Sequence, residues 1–222
     1  MGRRMPPAPL VWDGTGERLY EQGVDHGVLY LLDTTSGEYD TGFAWNGLTT
    51  VTETPAGAEP NPAYADNIKY LNLLSAETFG GTIEAFTYPD EFGACDGTVL
   101  VGAGVSVSQQ PRAVFGLSYR TKVGSDLDAG LGYKIHLVYG LLASPSEKAY
   151  ATINDSPEAL SFSWDVTSTP VAVTDMAPTS LIVADSTKET PAKMKALEDI
   201  LYGVTAAPKL PLPDDVIAMF GP

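Results

Sequence analysis

The sequence predicts a mainly β fold, an antiparallel β-sandwich or barrel with a flanking α-helix and a C-terminal extension. Three observations carry that prediction. Apolar residues alternate with polar ones over several short runs, the period of strands with one wet and one dry face. The 22 glycines and 17 prolines fall mostly between these runs, where they punctuate turns. Helical periodicity with a proper start and stop appears only beyond residue 188. So many short strands argue against α/β winding and leave a sandwich or barrel.

Taken in order, Val28 to Leu32 is apolar on both faces, as a central strand or one touching a neighbour on its second face would be. Gly42 to Thr52 reads as a strand. Glu53 to Asp66 (ETPAGAEPNPAYAD) has three prolines and no periodicity, so a long loop is expected there. It is either a surface excursion or an arm ordered only against another subunit. Further strands are expected over Ile68–Leu74, Thr82–Tyr88 and Val99–Val107. Alternation is cleanest from Ala113 through Phe115, Leu117 and Tyr119, with Gly116, Ser118 and Arg120 on the wet face. It recurs from Tyr133 to Leu141, opposed by Lys134 and His136, and from Leu160 to Val166, opposed by Ser161, Ser163 and Asp165. Thr179 to Ala184 completes the strands. Thr190 then caps a helix that opens on Pro191, places Met194, Leu197 and Leu201 on one face, and stops at Gly203. The prolines of Pro208 to Pro213 extend the chain, and a short second helix follows from Pro213 to Phe220, with Asp214 and Asp215 at its positive end. Eight residues do not hold a helix alone in water, so it must dock on this domain or on a neighbour. The expected organisation is a β-domain over 1–187 and a helix with a proline-rich arm over 188–222.

Composition sets outer limits. A 222-residue chain with 44% hydrophobic residues and mean hydropathy -0.02 is ordinary for a soluble protein with a sizeable core. No apolar run approaches the ~18 residues of a spanning helix. The basic start, Met-Gly-Arg-Arg-Met-Pro-Pro, leads into Trp12, Asp13 and Gly14 without a signal core, so use in the cytosol is expected. The single cysteine, Cys95, excludes an internal disulfide. Charge is the unusual property: 28 acidic residues against 13 basic, a net charge of -15. Between Arg18 and Arg112 the only Lys or Arg is Lys69. Such a surface repels nucleic-acid phosphates. It serves solubility, and it also suits a wall past which DNA moves without sticking.

The chemistry of sites is sparse. His26 and His136 have no histidine at metal-ligand spacing, and no Cys-x-x-Cys exists. Cys95 lies among Asp90, Glu91 and Asp96, which discourage a thiolate. Asp33 to Glu38 lacks the later ligands of a calcium loop and reads as a hairpin turn. Gly102-Ala103-Gly104 lacks the lysine of a phosphate loop. No catalytic residue, metal or cofactor is nominated. Trp164 reads as core. The alternative to a structural role is a binding module, a capsid decoration protein or a carbohydrate-binding sandwich.

One stretch carries a resemblance. Thr52 to Gly97, with its Ala-Glu-Pro, Tyr-Ala-Asp-Asn and Tyr-Pro-Asp-Glu-Phe elements, resembles the signature region of major tail tube proteins of long-tailed bacteriophages from Gram-positive hosts. Phe115-Gly-Leu-Ser-Tyr-Arg, His136-Leu-Val-Tyr-Gly and Leu210-Pro-Leu-Pro-Asp-Asp-Val-Ile continue it, so that it covers about Trp12 to Phe220. The resemblance implies a tube-type β-sandwich, homohexameric rings stacked into a tail tube that conducts viral DNA without binding it specifically, and a place in the virion after assembly in the host cytoplasm. It implies tape-measure, tail terminator and distal tail proteins as partners, no membrane insertion, no cofactor and no enzymatic activity. The candidate inter-subunit contacts are Glu53, Pro55, Glu59, Pro60, Asn61, Pro62, Tyr64 and Asp66 in the proline-rich segment, and Leu210, Pro211, Ile217 and Phe220 at the C-terminus. Arg3 and Arg4 join them as possible reaches to a neighbour.

Overall fold

A computed structural model describes residues 10–57, 59–75, 77–152, 155, 159–204 and 206–221; Arg3 and Arg4 lie outside these. The strands are β1 (Leu19–Leu31), β2 (Thr41–Trp45), β3 (Leu48–Glu53), β4 (Ala56–Gly57), β5 (Pro60–Ala65), β6 (Ile68–Leu74), β7 (Glu77–Thr78) and β8 (Gly80–Ala85). A 3-10 turn over Asp90–Ala94 precedes β9 (Val99–Leu100), β10 (Ser106–Val107), β11 (Phe115–Ser125), β12 (Gly132–Ala143), β13 (Phe162–Ser168), β14 (Val171–Val173), β15 (Met176–Thr179) and β16 (Leu181–Asp185). Two helices, α1 (Pro191–Leu201) and α2 (Pro213–Phe220), follow.

The main sheet is antiparallel in the order β2-β1-β11-β12-β13-β8-β3, and β16 also pairs with β12. Its end strands β2 and β3 are consecutive in the chain, joined at Asn46-Gly47 with Gly47 at φ 76°. The sheet therefore curls round on itself, and β3 comes to lie against β1. β12 forks. Lys134–Val138 pairs with β16, whereas Leu141–Ala143 pairs with β13. Gly140 sits at the fork with φ 64°, where a Cβ would fall 2.2 Å from the Thr169 carbonyl oxygen. Only glycine fits both the left-handed backbone and that approach.

Two cores lie on the two faces of β1, β11 and β12. The first is wrapped by the curled sheet and centres on Trp164, packed against Trp45, Phe92, Tyr88 and Phe162. The second lies under the helices: Tyr30, Ile135, Leu137 and Tyr139 meet Met194, Leu197, Leu201, Leu210 and Val216. This explains Val28 to Leu32, whose Leu29 faces the first core and whose Val28 and Tyr30 face the second. It also corrects the sequence expectation for β11. Its polar face is not wet: Ser118 is buried with its hydroxyl 3.3 Å from the Tyr30 hydroxyl, and Leu210 fills the space beside Gly116.

The helices form as their sequence dictates. Thr190 Oγ1 accepts from Lys193 N at 3.4 Å, Pro191 opens α1, and Gly203 follows at φ 72°. In α2, Asp214 accepts from both Thr174 N and Thr174 Oγ1, and Lys193 Nζ donates to the Phe220 and Gly221 carbonyls at the other end. An acid at the start and a cation at the end both suit the helix dipole. The described part of segment 188–222 is thus no free arm. It docks on its own sheet, with the Tyr30 hydroxyl donating to Leu201 O (2.8 Å) and the Tyr139 hydroxyl to Pro211 O (3.0 Å). The short helix finds the docking surface it needs within the same chain.

Candidate assembly arm

The stretch expected to be an aperiodic loop is one half of a β-hairpin. β5 pairs with β6 from Pro60↔Leu74 to Ala65↔Ile68, and β4 pairs with β7 at its base. The turn is Asp66-Asn67, at φ 51° and 63°. Two left-handed residues make the turn whose twist matches a hairpin, and Asp and Asn tolerate that backbone best among residues with side chains. Pro60 and Pro62, two apart in β5, are compatible with a strand whose outer edge is unpaired. Seven residues of β6 span roughly 23 Å. The signal missed in the sequence was Asp-Asn between Ala65 and Ile68; three prolines masked it as a loop.

The arm makes no core of its own. All residues of β5 and β6 are exposed, among them Tyr64, Ile68, Tyr70, Leu71, Leu73 and Leu74. Along β6 these alternate, so both faces of the ribbon carry apolar side chains. A lone two-stranded hairpin is marginal in water. Its apolar surface calls for a partner.

A polar cluster holds the arm's root. Glu53, the last residue of β3, accepts the Tyr119 hydroxyl and lies 3.2 Å from His136 Nδ1. Tyr119 stacks on the His136 ring at 4.6 Å, and Thr121 Oγ1 lies 3.1 Å from His136 Nε2. The His136 ring 3.2 Å away holds the Glu53 carboxyl below its ordinary range against the opposing effect of burial, and the Tyr119 hydroxyl adds to it. Burial and the Glu53 carboxylate both push the Tyr119 hydroxyl up. Hydroxyl, imidazole and carboxylate stand in the order of a nucleophilic triad. Here, however, Glu53 is shared with Tyr119, Thr121 is shared with Glu21 at 3.4 Å, and His136 lies on a strand paired on both sides. The cluster braces β3 against β11 and β12.

Of the contact candidates, Glu53 stands at the root and Pro55 just beyond it, while Glu59, Pro60, Asn61, Pro62, Tyr64 and Asp66 lie along the exposed first half of the arm. At the C-terminus, Leu210 and Pro211 are corrected. Leu210 and Pro211 are buried in the chain's own second core, held there by the Tyr39 bridge and the Tyr139 hydroxyl, and Ile217 and Phe220 are half-buried. Sequence reasoning also missed a second exposed hairpin. The expected strand Val99–Val107 folds back at Gly102-Ala103-Gly104 into β9 and β10, with both glycines at φ above 80°.

Among the described residues no group of three His, Cys, Asp or Glu comes together to hold a metal. Cys95 is buried, and burial together with Asp96 pushes its thiol up to about 12. Asp96 in turn is paired with Lys148 at 2.5 Å and Arg112 at 3.6 Å. No helix of the described residues is long and apolar enough to cross a membrane. No protein-family model matches the chain, and no curated protein matches it.

Proposed function

We propose that this chain is a structural virion protein whose copies assemble into stacked hexameric rings, forming the tail tube of a long-tailed bacteriophage and the conduit for its DNA. The observation that carries the reading is the arm: a β-hairpin, apolar on both faces, that leaves the domain and has no core to join. Copies of the chain supply the surface it lacks, and pairing its edges with theirs removes the aggregation liability of an exposed ribbon. The resemblance over Thr52 to Gly97 falls on this same arm and on its root. The acidic surface, with a net charge of -15, lets DNA pass without being held. Head-to-tail contact between rings is heterologous and non-closing, the symmetry that makes a tube. In this reading the tape-measure, terminator and distal tail proteins are partners at the lumen and at the two ends, and the protein resides in the virion.

The test is assembly of the purified chain, followed by light scattering and negative-stain microscopy as concentration and salt rise. Rings or tubes of uniform diameter are expected, favoured by salt because copies of like charge repel. A chain that stays monomeric at every concentration, alone and with tail partners, refutes the reading.

A further inference from the structure

The arm is not the only apolar element without a place in the core. From Gly97 through Pro111 the chain carries no Asp, Glu, Lys or Arg, in a protein whose net charge is -15. This segment is the β9–β10 hairpin. It is pinned at its base by Gln110 N to Gly97 O (3.0 Å) and by Arg112 to the Ala143 carbonyl (3.1 Å). Its side chains Val99, Leu100, Val101, Val105 and Val107 are 46, 59, 60, 58 and 44% exposed. Exposed apolar side chains grouped on one short hairpin are the kind of surface that marks an interaction site.

A complementary surface lies at the root of the long arm. There Pro55, Phe79, Pro170, Ala177, Pro178 and Leu181 line a groove of about 790 Å³, with Glu53 and Glu77 also on its walls. The two features are rooted on different strands. The short hairpin feeds β11 at the end where Phe115 pairs with Leu141. β3, which leads into the groove and the long arm, ends at Glu53, in register with Gly81, Val166 and Ala143 three strands away.

We infer that the β9–β10 hairpin of one copy seats in the Pro55–Phe79–Pro178 groove of the next, a directional contact between copies. Electrostatics selects this pairing. Two surfaces of strongly negative chains repel, so contact between copies is favoured where one side carries no carboxylate. A groove with Glu53 and Glu77 on its walls rejects an acidic segment and admits an uncharged one. Hairpin and groove are different surfaces of one chain, so each copy that receives a hairpin can offer its own to a further copy, a heterologous contact. This inference rests on the tube reading and assigns one of its contacts.

Disulfide mapping tests it cleanly, because the single native thiol, Cys95, is buried. Val101→Cys and Ala177→Cys together, oxidised under assembly conditions, are expected to give a ladder of dimers, trimers and longer species on non-reducing gels. Mixing the two single variants should give dimers only. Val99→Ser/Val101→Ser/Val105→Ser, at exposed positions, should raise the critical concentration for assembly by roughly tenfold or more. Its circular dichroism and melting should stay those of the wild type. Three results overturn the inference: the double variant giving only closed dimers, tubes that form normally with no cross-link, or hairpin-dependent sedimentation of the wild type with phosphatidylcholine vesicles. In the second case the tube reading stands without this contact. Wild-type protein that never assembles brings down both.

Discussion

Replacing Tyr64, Tyr70 and Leu73 together by serine strips the arm of three of its apolar contacts while leaving its backbone pairing intact. These side chains are 71, 66 and 59% exposed in the single chain. Full burial of such side chains contributes roughly 1.5–3 kcal/mol each, and about two thirds of that remains to be gained on association. The triple change should therefore weaken assembly by about 3–6 kcal/mol per subunit. At 1.4 kcal/mol per decade, the critical concentration rises roughly 100- to 10,000-fold. The fold itself should barely notice, since exposed substitutions away from special features stay within about 0.5 kcal/mol each. The assay pairs pelleting or light scattering across a concentration series with a urea melt of the unassembled chain. Tubes that form at the wild-type concentration refute the reasoning, because the arm then buries nothing on assembly. A large loss in the urea melt refutes it in another way, by showing that the arm already contributes to the monomer's stability.

Two further outcomes test the fold and the root of the arm. Gly140→Ala should destabilise the chain by more than the 1–2 kcal/mol of a left-handed backbone alone, because its Cβ would meet the Thr169 carbonyl. Gly37→Ala, at φ 76° with open space around it, should show only that backbone cost; denaturant midpoints compare the two. Glu53 has a folded-state pKa held below its ordinary 4.5, so its ionised form adds stability above that value, and the contribution is lost as pH falls through the folded pKa. Glu53→Gln should therefore flatten the fall in melting temperature below about pH 4.5 relative to the wild type. Asp25, Asp33, Asp185 and Asp214 also have lowered pKa values, so the difference between the two proteins, not either curve alone, is the quantity to read.

Much of this molecule was legible before any coordinates. The alternation around Leu117, Leu137 and Trp164 specified strands because a strand's side-chain period is two and one buried face enforces it. Thr190, Pro191 and Gly203 bounded α1 through purely local chemistry, the capping of free N–H groups and a left-handed stop. Long-range pairing was not legible. Whether Ser118 and Gly116 face water depends on helices 70 or more residues away, so their polarity misled. Leu210 and Pro211 read as contacts to another subunit because nothing local reveals the Tyr39 and Tyr139 sites that receive them. The arm falls between these cases. Asp66-Asn67 is a local hairpin signal, but three prolines spoke for a loop, and only the pairing of Pro60 through Ala65 with Ile68 through Leu74 decided that the segment is a ribbon. By itself the sequence determined period, caps and charge, all properties of neighbouring residues. The tertiary structure alone decided which apolar surfaces are covered, because burial is set by contacts between distant parts of the chain. The surfaces it leaves bare are those on which the proposed assembly depends.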